Sequence, residues 1–125
     1  MIQYSNVRGV TLENKELDMT LYKMQASLSK TMAHPIRLAV LHLLKDGEKT
    51  VNELVDSIGA SQSNVSQHLA LLRHKGLVNT RREGLSIYYS VSDPKISLAC
   101  DMVRQVLLEQ LEKGHKMVNL LKSKD

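Results

Sequence analysis

The residues TVNELVDSIGASQSNVSQHLALLRHK, Thr50 to Lys75, restrict the fold more than any other part of the chain. Thr50 stands three residues before Glu53. At that spacing a Thr hydroxyl and a Glu carboxylate satisfy two otherwise orphan amides at a helix start. Leu54 and Ile58, four apart, share one face, and Gly59 supplies the left-handed residue that ends the helix. Ser61 is the next N-cap, and Val65, Leu69 and Leu72 fall at i, i+4 and i+7 as the buried stripe of a second helix. The stretch therefore reads as two short helices joined by a tight turn.

The other side of the second helix carries Ser63, Gln67, Ala70 and His74, with Asn64 and Ser66 on its shoulders and Gln62 nearer the core edge. This face is polar but nearly uncharged, whereas an ordinary solvated face favours Lys and Glu. Short uncharged donors and acceptors at the N-terminal end of a second helix suit the reading of base edges in a major groove. The plainer alternative is an exposed helix that Ser, Gln and Asn merely cap and decorate.

A chain of 125 residues makes one domain, and 42% hydrophobic with 24% charged residues is a globular balance. With no Phe and no Trp, the core must come from Leu, Val, Ile, Met and Tyr, which favours helices. Between Ser61 and Ser92 the cations Arg73, Lys75, Arg81 and Arg82 are opposed only by Glu83, a local excess that suits a polyanion. The single cysteine, Cys100, excludes an intramolecular disulfide and a Cys-rich zinc site, and points to a reducing cytoplasm. The N-terminal MIQYSNVRGV lacks a signal pattern and no run of apolar residues is long enough to span a bilayer, so neither secretion nor a membrane span is expected. No nucleophile, base and acid set or phosphate-cradling Gly loop stands out, so enzymatic activity is not expected.

Residues 1–14 read as an arm. A helix is expected over 15–32, with Leu17, Leu21, Met24 and Leu28 on one stripe. His34 and Pro35 mark a break, and a further helix carries Leu38, Leu41 and Leu44 until Asp46 and Gly47 end it. His42 reads as a partly exposed helix residue. The segment LVNTRREGLSIYYSV predicts a two-stranded hairpin from Leu77 to Val91, with Gly84 in its turn and Arg81 and Arg82 at its tip, within reach of phosphates or a minor groove. Asp93 and Pro94 start a last helix over 93–121, roughly 40 Å long at about 1.5 Å per residue. Its main stripe is Ile96, Cys100, Val103, Leu107 and Leu111, with Val106, Leu108, Met117 and Leu120 on other faces. A helix apolar on several faces must bury several. It is therefore expected to pack against the 15–32 helix and a symmetry mate in a homodimer, around a 34–92 core.

Three segments, AHPIRLAVLHLL, ELVDSIGASQSNVSQHLALLRHKGLV and REGLSIYYSVSD, together resemble the ArsR/SmtB family of small dimeric regulators over about residues 28–96. The resemblance implies a mainly α winged helix-turn-helix fold with a small β-hairpin wing, dimerising through its N- and C-terminal helices. It further implies a repressor of double-stranded operator DNA that lets go when a metal or another inducer binds. Carried over by position, Gln62, Ser63, Ser66 and Gln67 lie on the groove-facing surface, with Arg81 and Arg82 on the wing. Val65 matches too, but it belongs to the core stripe and is left out. Asn64, Arg73 and Lys75 complete the candidate DNA-binding set from the residue-level reading.

The sensing sites are where the chain departs from the family pattern. Thr50, Val51 and Asn52 replace the family's Cys-Val-Cys, and Asp93 to Lys95 with Val106 to Glu109 lack both histidines of the terminal-helix site. No metal or cofactor is expected, and the effector is left open. Cys100 is a redox candidate if two copies meet at the twofold axis, against the plainer reading of an inert core thiol. A winged-helix module for protein–protein interaction is the alternative to DNA binding.

Overall fold

Helix caps and turn residues set the order of elements in the computed structural model, which describes residues 6–7, 10–11 and 19–123. Strands β1 (Asn6–Val7) and β2 (Val10–Thr11) precede helices α1 (Met19–Met32) and α2 (Pro35–Leu43). A single 3-10 turn, Leu44–Asp46, leads to β3 (Lys49–Thr50), α3 (Val51–Ile58) and α4 (Gln62–His74). The strands β4 (Val78–Glu83) and β5 (Ser86–Val91) follow, and α5 (Pro94–Ser123) closes the chain.

Part of the expected N-terminal arm is paired, with Asn6 opposite Thr11 and Val7 opposite Val10. Two-residue strands are too short to leave a periodicity in the sequence. Lys15 and Leu17, expected to begin the first helix, lie outside the described residues. At α2, His34 caps through Nδ1, which accepts from the Ile36 amide at 3.1 Å, and Pro35 occupies the first turn, where its missing N–H costs nothing. Gly47 then turns the chain at φ 138°.

Among the described residues the buried hydrophobic side chains are all Leu or Val: Val40, Leu41, Leu44, Leu54, Val65, Leu69, Leu72, Leu77 and Val78. Helix α2 supplies its centre and touches α3, α4 and α5. Leu38, expected on the same stripe as Leu41 and Leu44, is 43% exposed. Two three-residue steps rotate a helix to about 120° from its starting direction, so Leu38 and Leu44 cannot share a face.

The predicted two-stranded hairpin is one strand short. Lys49 and Thr50 pair with Tyr89 and Tyr88, giving a three-stranded antiparallel sheet in the order β3-β5-β4. Thr50 is at once a strand residue and the cap of α3, a double use that no local pattern announces. Leu77 is buried ahead of β4, and Gly76 turns the chain out of α4 at φ 76°.

The first turns of α5 are fastened to α2. The buried Ser97 hydroxyl donates to the Leu41 carbonyl at 2.7 Å. Asp101 pairs with His42 Nδ1 at 3.0 Å and with Lys45 Nζ at 3.1 Å, and both hold its carboxyl below the usual carboxylate value. His42, unremarkable in sequence, finds a partner 59 residues away. Beyond this anchor α5 leaves the globule. Val103, Leu107, Leu111, Val118 and Leu121 stay exposed along one side, and Leu98, Met102, Val106 and Leu120 along another. Met19, Leu21, Tyr22, Met24 and Leu28 are likewise exposed on α1. Apolar surface spread over two helices in this way is characteristic of an association face.

Replacing Leu69 by Ala should cost about 2–5 kcal/mol, because a fully buried Leu loses its transfer energy and leaves a cavity. Leu85→Ala should stay within about 0.5 kcal/mol, because that side chain touches almost nothing. Urea denaturation at one fixed protomer concentration checks both values.

Candidate nucleic-acid interface

The turn between α3 and α4 is built by caps at both ends. The Thr50 amide donates to Glu53 Oε1 at 3.1 Å and the Glu53 amide donates to Thr50 Oγ1 at 3.2 Å, the reciprocal pair read from the sequence. Gly59, at φ 80°, ends α3, and Ser61 Oγ accepts from the Asn64 amide at 3.2 Å to start α4. Val65, Leu69 and Leu72 point into the core, so leaving Val65 off the outer face agrees with its complete burial. Gln62, Ser63, Asn64 and Gln67 are exposed and Ser66 is half-buried. The N-terminal half of α4 thus presents an uncharged row of hydroxyls and amides.

An open groove of 310 Å³, lined by Thr50, Val51, Asn52, Gln62, Leu85, Ser86 and Ile87, sets the wing tip beside the start of α4. The tip is a two-residue turn, Gly84 at φ 61° followed by Leu85, which is fully exposed. Arg73 and Lys75 are also exposed, but at the far end of α4, about 16–20 Å along the helix from Gln62. The structure therefore brings Gln62 and the wing together and keeps Arg73 and Lys75 apart from them.

Arg81 and Arg82, neighbours in β4, project to opposite faces of the sheet. Arg82 shares its face with Ile87 and Tyr89, and Tyr89 packs on the core. Arg81 lies over the Tyr88 ring, 4.7 Å from its centroid, on the face away from the core. Its Nε and Nη2 donate to the two carboxylate oxygens of Glu48 at 3.1 and 2.5 Å, and its Nη1 donates to Glu83 at 2.8 Å. These bonds push the Arg81 pKa upward and hold the Glu48 carboxyl below its usual value. Glu48 and Tyr88 were not legible as part of this surface. Only the alternation of β4 could have hinted that the two arginines diverge.

Behind α4, the His68 ring stacks on the His34 ring with centroids 4.1 Å apart. Burial, followed by the charges of His34 and Arg37, pushes the His68 pKa down. Arg37 donates to the Thr31 carbonyl at 2.6 Å, which links the end of α1 to this junction. Cys100 is half-buried and faces Met32 of its own chain, Sγ to Sδ 3.8 Å, and burial pushes its thiol pKa upward. Among the described residues, no three His, Cys, Asp or Glu side chains gather closely enough to hold a metal ion.

Residues 34–80 match the family model described as "Bacterial regulatory protein, arsR family". The uncharacterized HTH-type transcriptional regulator Rv0081 of Mycobacterium tuberculosis is 41% identical over 92 residues, which span 73% of this chain and 81% of that protein. The transcriptional activator HlyU of Vibrio cholerae is 35% identical over 100 residues, covering 80% of this chain and 92% of HlyU. The solution structure of the homodimeric winged helix-turn-helix DNA-binding domain of Mb0332 from Mycobacterium bovis superposes with a TM-score of 0.67. It is 30% identical and covers 81% of this chain and 95% of that one.

Burial of His68, with a smaller contribution from His34, gives the stability of the fold a pH dependence. His68 binds its proton less readily in the folded chain than in the unfolded one. Stability is therefore full above the ordinary His value of about 6.5 and declines as pH falls below it. The thermal midpoint should drop between about pH 7.5 and about pH 5.5, and His68→Gln should flatten that decline. Calorimetry across the series at constant ionic strength measures it.

Proposed function

The chain belongs to the arsR family of bacterial regulatory proteins, and from that premise we propose that it works as a homodimeric, sequence-specific repressor on an inverted-repeat operator. The observation that carries this reading is the exposed, uncharged row Gln62, Ser63, Asn64 and Gln67, which begins at Gln62 beside the wing tip. Amides and hydroxyls at the start of a helix match the donor and acceptor pattern of base edges, while charged side chains would bind any phosphate. In this reading α4 of each protomer enters a major groove, with the two half-sites about 34 Å apart. Ser66, half-buried, sits at the edge of the contact. Arg73, Lys75 and Arg82 supply salt-dependent contacts to flanking phosphates.

Dimerisation is assigned to α1 and α5, whose exposed apolar stripes need covering. Pairing them across a twofold axis would bury Leu21, Met24, Leu28, Val103, Leu107 and Leu111. A DNA-bound role places the chain in the cytoplasm. Cys100 is turned toward its own Met32, which supports the inert-thiol reading over a disulfide between copies.

Gln67→Ala should weaken binding to the specific duplex by about 1–3 kcal/mol and leave a shuffled duplex of equal length nearly unchanged, as loss of a bidentate base contact requires. Fluorescence anisotropy on the duplex from upstream of the protein's own gene, repeated across salt concentrations, measures both. Equal weakening on the two duplexes would remove Gln67 from the base-reading set. Equal binding of the unsubstituted protein to both duplexes would reduce the surface to a basic patch.

A further inference from the structure

Arg81 is the most heavily engaged cation on the described surface, although its position in the wing suggests a phosphate contact. Its fork is taken up by Glu48 and Glu83, so two carboxylates surround one guanidinium. A phosphate approaching Arg81 would meet those carboxylates first. The contacts also span the sheet. Arg81 and Thr50 are both register partners of Tyr88, on either side of it, so the side chain starts on β4 and crosses the central strand β5 over the Tyr88 ring. It ends on Glu48, two residues before Thr50. Glu48, Thr50, Tyr88, Arg81 and Glu83 thus form one continuous row on the sheet face opposite Arg82. A planar fork held at both ends in this way fixes a direction, which a single flexible ammonium would not.

We propose that Arg81 is a positioning residue for DNA recognition: it braces the wing through Glu48 and Tyr88, and so holds the wing tip at Leu85 in place beside Gln62 at the start of α4. Arg82, on the other face, is the wing arginine left to meet DNA, since among the described residues no carboxylate pairs with it. The proposal rests on the DNA-binding reading for its affinity consequences, but the brace itself is a property of the free protein.

The two roles predict opposite signs for one substitution. Glu48→Gln removes a negative charge. If Arg81 were a phosphate ligand, releasing it would tighten binding to every duplex. If Arg81 is a brace, Glu48→Gln loosens the wing and weakens specific binding. The probe is a duplex selected from a random pool with the unsubstituted full-length protein, compared with its shuffled version. Glu48→Gln and Arg81→Gln should each weaken the selected duplex by about two- to fivefold, the range an exposed pair supports. Neither should change the slope of log K against log salt. Arg81→Lys should not restore affinity, although a lysine would serve as a phosphate ligand. In the free protein, amide hydrogen exchange across β4 and β5 should accelerate in both Gln variants, with helix content unchanged by circular dichroism.

Tighter binding by Glu48→Gln, or a slope reduced by about 0.9 in Arg81→Gln on both duplexes, would make Arg81 a phosphate ligand and overturn the brace. Unaltered wing exchange in Arg81→Gln would overturn it as well. Failure to select any duplex would count against the DNA-binding reading alone, because the exchange measurement still decides the brace.

Discussion

Burial of one short helix organises this molecule. Val40 and Leu41 of α2, with Leu44 in the 3-10 turn that follows it, are buried, and α3, α4 and α5 all pack onto α2. Each of these buried side chains contributes about 1.5–3 kcal/mol relative to an exposed one. With no aromatic ring among the buried described residues, close packing of branched aliphatics around α2 carries the cohesion. The orientation of α4, hence of its polar row, follows from how Leu69 and Leu72 seat against this centre.

Much of this was legible in the sequence because the governing interactions are local. Caps within three residues of each other, Gly59 as a stop, and the stripe of Val65, Leu69 and Leu72 specify the two central helices without reference to the rest of the fold. The β-branched and aromatic residues on either side of Gly84 marked the wing, the several apolar faces of the last helix pointed to a homodimer, and the family likeness agreed with both. What stayed hidden depends on distant parts of the chain. The third strand is two residues long, so it has no detectable alternation. The His42–Asp101 pair, the His34–His68 stack and the Arg81–Glu48 fork each join residues more than thirty positions apart, and no spacing rule reaches that far. Arg81 and Arg82 looked equivalent because charge counting ignores which side of a strand a residue occupies.

The surface divides its labour by chemistry. Neutral amides and hydroxyls occupy the first turns of α4, where contacts must discriminate. Free cations stand at its far end and on one side of the wing, where contacts need only attract. Carboxylates near the wing are committed to Arg81 and so add no free negative charge to the approach. Such an arrangement separates the energy that distinguishes sequences from the energy that merely holds a polyanion.

The fastening of α5 has a mechanical side. The helix is held to α2 through Ser97 and Asp101, both within its first eight residues, and about 33 Å of it projects beyond them. This is the geometry of a lever, with its fulcrum against the same helix that seats α4. A tilt of about 5° at that fulcrum carries the free end through about 3 Å, enough to change which side chains meet across an interface built at that end. Movement of the far end would in turn be geared down to a fraction of an ångström where α5 meets α2, the scale on which a packed aliphatic core must either resist or rearrange.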